Sequence, residues 1–259
     1  MAMSMKSALA KVVGFGILMA AIGISAQDAA TGSNSGSVPG MDHHGMSDMP
    51  GMDHAVAAMS GHIDMGPHMK MTSLRPLQPG DQQRADAIVA ASRKAMSKYT
   101  DYKIALDDGF RIFLPNVPQK QYHFTNYRYA FEARSGFNPD HPTSLLYEKT
   151  SDGGYKLIGA MYTAPKSFSE DELNARIPLS IAQWHEHVNF CKAPDGRKSE
   201  YFGKDARFGL RGSITTEEQC KAAGGEFHPV IFGWMVHVYP FEKNAADAWS
   251  VEKQMDHGD

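Results

Sequence analysis

After residue 80 the apolar positions pass from helical spacing to short alternating runs, and that change confines the chain to a mixed fold. Over residues 81–108, Ala85, Ile88, Val89, Ala95, Met96, Tyr99, Ile104 and Ala105 recur at helical intervals. A break is expected near Thr100, and Gly109 ends the pattern as a C-terminal stop. Strand-like runs follow at 109–114, 122–129, 144–149 and 155–162. Ser151-Asp152-Gly153-Gly154 joins the last two as a hairpin turn. Thr215-x-x-Glu218 ahead of Gly224-Gly225 reads as a capping-box helix with a glycine exit. Strands at 180–190 and 230–239 flank it, and 244–254 reads as a short closing helix. The expectation is an α+β fold: a mostly antiparallel sheet with an N-terminal helix and short helices near the C-terminus.

Ahead of that domain the composition changes. Lys6 and Lys11 lead into an apolar run over 12–24, followed by the small Ser25 and Ala26. The run is too short to span a bilayer as a stable helix, so 1–26 reads as a secretory signal peptide, with an uncleaved membrane anchor as the alternative. A periplasmic or extracellular location follows, with no stable membrane insertion after cleavage. Removing 1–26 takes two lysines and no acids, moving the formal charge from −3 to −5. A mildly acidic chain offers no electrostatic attraction for nucleic acid. Residues 27–40 are small and polar, and the whole of 27–71 reads as a disordered, Met/His-rich tail. The remainder, 72–259, is long enough for a single α+β domain with its own core. Cys191 and Cys220 read first as a disulfide in an oxidising compartment, with a thiolate ligand at Cys191 as the alternative.

Residues 41–71 hold eight of the 16 methionines and five of the 12 histidines, interrupted by glycine and proline. Thioether sulfur is a soft ligand and imidazole a borderline one, a combination that suits copper, with zinc second. The alternative is a low-complexity tail with incidental methionines, although exposed methionine is apolar and oxidisable. The donors proposed here are Met41, His43, His44, Met46, Met49, Met52 and His54. The Met-Asp-His repeats at Met41-Asp42-His43-His44 and Met52-Asp53-His54, with Met46, Met49 and Met59, resemble the Met/His-rich segments of periplasmic copper-resistance proteins. That resemblance implies copper handling.

A second constellation lies in the domain, at Trp184-His185-Glu186-His187-Val188-Asn189. On a strand, alternation puts His185, His187 and Asn189 on one face. A further ligand must come from another strand: His237 first, in Gly233-Trp234-Met235-Val236-His237, with Met235 and Tyr239 on its face, then His123 and His228. Two histidines hydrogen-bonded within a polar sheet face are the plainer explanation, because His-x-His alone is a weak motif. These two motifs, with Tyr122-His123-Phe124, Leu145-Leu146-Tyr147-Glu148 and residues 105–110 and 157–162, resemble a loose group of secreted bacterial proteins without assigned activity. The resemblance implies a site role for His123 and no reaction.

The chain lacks HExxH, a phosphate-binding glycine loop, a nucleophile elbow and the close Cys–His–Met loop of blue-copper proteins. Glu132 and Glu148 stand as an unplaced acid–base pair. The function expected is capture, buffering or delivery of a transition metal, most simply copper, with the metal ion as partner. The rival is a metal-dependent enzyme using the histidine site, and the third reading is a non-catalytic envelope domain.

Overall fold

A computed structural model describes residues 66–244 and 246–255. Helix α1 (Asp81–Met96) buries Asp81, Ala85, Ile88, Ser92 and Met96, a spacing that marks one helical face. A 3₁₀ turn at Ser97–Thr100 breaks the pattern, Asp101 caps α2 (Tyr102–Asp107), and Gly109 leaves it at φ 91°, where a side chain would be strained. Six strands follow: β2 (Arg111–Ile112), β3 (Tyr122–Thr125), β4 (Ser144–Lys149), β5 (Tyr155–Ala164), β6 (His185–Lys192) and β7 (Glu226–Val238). With β1 (Met69–Met71) they make a seven-stranded sheet in the order β1-β6-β7-β5-β4-β3-β2, antiparallel at each pairing.

The core lies on one face of this sheet. Phe124, Leu145, Tyr147, Ala160, Tyr162, Trp234, Val236 and Val238 pack there against Ala85, Ile88 and Met96 of α1 and Ala105 of α2. Every second residue of β3, of β4 from Leu145 to Tyr147, of β5 from Ala160 and of β7 from Trp234 takes part, so the intervening residues there are left to the opposite face. Among the described residues no helix is long and apolar enough to cross a membrane.

Several boundaries depart from the sequence expectations. The strand expected over 122–129 stops at Thr125, because the Asn126 side chain accepts from Arg128 and Tyr129 backbone N–H groups and starts helix α3 (Tyr127–Glu132). Helix α4 (Glu170–Arg176) had a sequence signal, Ser169-x-x-Glu172, and forms a complete capping box. In α5 (Glu217–Ala222) the cap is Thr216, which accepts from Gln219, one residue beyond the expected Thr215. The expected closing helix is a 3₁₀ turn at Ala246–Trp249 followed by α6 (Val251–Met255).

The segment read as disordered through Met71 contributes β1 at its end. His68 is buried, its Nε2 donating to the Gly212 carbonyl at 2.7 Å, while Val188 N–H donates to the His68 carbonyl at 2.9 Å. Thr72 then exchanges bonds with Trp184, its N–H donating to the Trp184 carbonyl and its hydroxyl accepting from Trp184 N–H. Tertiary pairing thus orders residues whose composition alone gives no reason for order.

Cys191 of β6 and Cys220 of α5 form the expected disulfide, with Cα atoms 5.6 Å apart. It sits in a small apolar cluster with Ala193, Phe208 and Ile214, separate from the main core. Closing a loop between cysteines 29 positions apart stabilises by about 3.5 kcal/mol in the chain-entropy treatment. Denaturant unfolding of the Cys191→Ala/Cys220→Ala variant should show a loss of that order, and an unchanged midpoint would mean the bridge does not constrain the unfolded chain.

Candidate functional site

Strand parity assembles the second face. The residues out of step with the core are His123 on β3, Met161 and Thr163 on β5, His185 and His187 on β6, and Met235 and His237 on β7. They floor a concave groove of about 1710 Å³. Imidazole ring centroids lie 5.5 Å apart for His123–His237, 5.2 Å for His185–His237 and 5.6 Å for His185–His187. Two imidazoles bound at about 2 Å to one tetrahedral ion place their centroids on the order of 5 Å apart. Each neighbouring pair therefore has a spacing compatible with a shared ion. Among the described residues, no group of three or more His, Cys, Asp or Glu side chains is arranged to hold a metal ion.

The other soft donors on the floor are thioethers, and cross-strand register sets them beside the imidazoles. Met235 is opposite His185, Met161 opposite His237, and Met69 opposite His187. Directly opposed residues share a face with Cβ atoms about 5 Å apart. Met161 and Met235 are buried, packed with Leu146 and Tyr239. Met161 is the floor residue that sequence reasoning missed; its parity with the core residues Ala160 and Tyr162 was the available signal. Met69 was read as part of the tail.

A bulge shapes one wall. Between His185 and His187, β6 advances two residues while β7 passes from Met235 to Ile231. The surplus is taken up at Phe232, with φ 62°, and at Gly233. A Cβ on Gly233 would lie 2.3 Å from the Ala164 carbonyl oxygen, so only glycine lets β7 pass that close to the end of β5. Phe232 is left 58 % exposed, with its ring 6.0 Å from Phe113 and 6.5 Å from His187.

His237 is oriented from below. The Tyr239 hydroxyl donates to the Lys253 carbonyl at 2.8 Å and lies 3.5 Å from His237 Nδ1. A hydroxyl that has given its proton to a carbonyl offers a lone pair to the imidazole.

Other sequence candidates lie elsewhere. Glu186 points to the core face, as alternation requires, beside Lys70 at 3.8 Å. It does not line the groove with the histidines. Asn189 leaves the pattern at φ 54° and donates to the Pro67 carbonyl at 2.6 Å. His228 sits near Glu226 at 3.4 Å and Phe190, outside the groove lining. Glu132 pairs with His141 at 2.7 Å and Arg128 at 3.1 Å, and the His141 hydrogen bond holds its carboxyl below the usual value. Glu148 stands opposite Lys156 on β5, so the two glutamates do not make the acid–base pair considered from sequence. The disulfide removes Cys191 from the list of thiolate ligands. Met41, His43, His44, Met46, Met49, Met52 and His54 lie outside the described residues. No protein-family model, curated protein or solved structure matches the chain.

Glu186 gives this region a pH dependence. It is 3 % exposed, and among the described residues its Oε1 has no hydrogen-bond partner. Burial raises its pKa above the ordinary value, against the opposing pull of Lys70 and Lys166. A carboxyl whose folded pKa is raised binds its proton more tightly folded than unfolded. Stability is therefore lost as pH rises from the ordinary glutamate value through the raised one. Glu186→Gln should unfold at a higher temperature than the parent chain at pH 8, with the advantage shrinking toward pH 4. A difference independent of pH would show that Glu186 does not carry the effect.

Proposed function

We propose that this chain is an exported protein that captures and holds copper, with the histidines and methionines of the groove floor as its specific site. The observation that carries the reading is the array itself: four imidazoles in ring-to-ring succession, three of them opposed across strands by thioethers. Calcium and zinc make little use of thioether, whereas Cu(I) is stabilised by it. His123, His185, His187 and His237 are the proposed nitrogen donors, and Met69, Met161 and Met235 the proposed sulfur donors. The Met/His-rich residues of 27–71 would collect the ion at lower specificity. Carried on the same chain, they raise its effective concentration near the floor without a dedicated contact. The Cys191–Cys220 disulfide fits a periplasmic or extracellular location, where thiols are kept oxidised.

The groove favours a second reading, a copper-dependent enzyme. A volume of about 1710 Å³ exceeds what a bound ion needs and is larger than small-molecule sites of roughly 300–1,000 Å³. Neutral imidazole and thioether donors with one open position would leave copper able to meet a substrate in that space. Storage alone gives no reason for the volume.

Competition with a chromogenic Cu(I) chelator separates floor from tail. The full chain should retain one ion that the chelator removes slowly, and His185→Ala/His237→Ala should weaken its retention by at least about tenfold while the looser tail-bound ions persist. Retention unchanged in that variant would mean that copper is held elsewhere.

A further inference from the structure

The charged residues among the groove's described lining are all basic, although the chain as a whole is slightly acidic. The protein has 29 Asp and Glu against 26 Lys and Arg. Yet among the described residues lining the groove, Lys120, Arg134, Lys166, Lys204 and Arg211 are basic and none is Asp or Glu. They come from separate places: the approach to β3, the end of α3, the end of β5 and the loop between β6 and α5. Side chains so distant in sequence surround one space, and a carboxylate is missing from all of its described walls. Imidazole and thioether carry no negative charge, so copper bound on the floor would add positive charge rather than balance it.

The rest of the wall is apolar and open to solvent. Leu114, Tyr127, Phe202 and Phe232 all line the groove and are 51 %, 64 %, 58 % and 58 % exposed. Large apolar side chains gathered around one concavity mark a binding surface more often than a solvated one. Phe113, 6.0 Å from Phe232, connects the wall beyond β2 to the β7 bulge. An apolar wall with cationic side chains around it matches a ligand with an apolar body and an anionic head.

We propose that the groove binds an amphipathic organic carboxylate, its apolar body against Phe113, Phe202 and Phe232 and its carboxylate against Lys166 and Lys204. The proposal rests on the walls and not on the copper reading. Basic side chains supply charge-assisted hydrogen bonds to the carboxylate, and burial of the tail against the aromatic wall supplies the non-directional part of the affinity.

The test is calorimetric titration of the full chain, metal-free and with a chelator present, using dodecanoate, dodecan-1-ol and acetate. Dodecanoate should bind at least about tenfold more tightly than dodecan-1-ol, by the worth of a charge-assisted hydrogen bond, and acetate should be weaker than both. Lys166→Gln/Lys204→Gln, at two exposed positions, should remove most of the dodecanoate preference and leave dodecan-1-ol unchanged. Phe232→Ser should weaken both long-chain ligands. His185→Ala/His237→Ala should keep dodecanoate binding, so failure of the copper site leaves this result readable. Equal affinity for dodecanoate and dodecan-1-ol, no binding of either, or a preference that survives Lys166→Gln/Lys204→Gln would overturn the proposal.

Discussion

The two-residue pleat of the sheet is the constraint on which everything else here depends. Because side chains on β3, β5, β6 and β7 alternate, the residues that build the core also determine which residues must leave it. Trp234, Val236 and Val238 are committed to the helix-covered face, and Met235 and His237 are thereby committed to the other. The same parity sends Trp184, just ahead of β6, inward and His185 and His187 of β6 to the groove face. A one-residue slip of β7 against β5 would bury the imidazole face and expose the tryptophan face. Register at the floor is thus enforced by the apolar core behind it.

Local irregularities refine that arrangement. The surplus residues at Phe232 and Gly233 keep His185 opposite Met235 while aiming Phe232 across the groove. The Gly233 approach to the Ala164 carbonyl makes this bulge dependent on the missing Cβ. Tyr239, held by the Lys253 carbonyl, ties the orientation of His237 to the last described helix. The disulfide serves another purpose: it fixes α5 to β6 through a minor apolar cluster and leaves the floor chemistry untouched. The proposed metal and the proposed carboxylate would complement one another physically. Were copper held on the floor, imidazole and thioether would bring no negative charge to it, and an anionic ligand in the groove would supply one.

Much of this was legible in the sequence, for identifiable reasons. The core helix and the β4–β5 hairpin follow from apolar spacing and turn residues, and the shared face of His185 and His187 follows from strand parity; those signals are local, whereas the nearness of His237 and His123 depends on the sheet order. The helix after Asn126 was hidden because Tyr127, Tyr129 and Phe131 also satisfy strand alternation, and only the Asn126 cap decides between the two. β1 was hidden because its order comes from pairing with β6, more than a hundred residues away in the chain. Met161 escaped notice because a methionine in an apolar strand looks like core until sheet order shows what stands opposite it. The basic walls are a tertiary property: no sequence window brings Lys120, Arg134, Lys166 and Lys204 together.

The central claim is that imidazole and thioether on the groove floor jointly hold copper. Copper K-edge X-ray absorption of a Cu(I)-loaded chain in which the tail histidines and methionines at 41–65 are replaced addresses it directly. The account predicts nitrogen and sulfur in the same coordination shell, with the sulfur contribution reduced by Met161→Leu/Met235→Leu. A shell of nitrogen and oxygen alone, or sulfur that survives loss of both methionines, would contradict it.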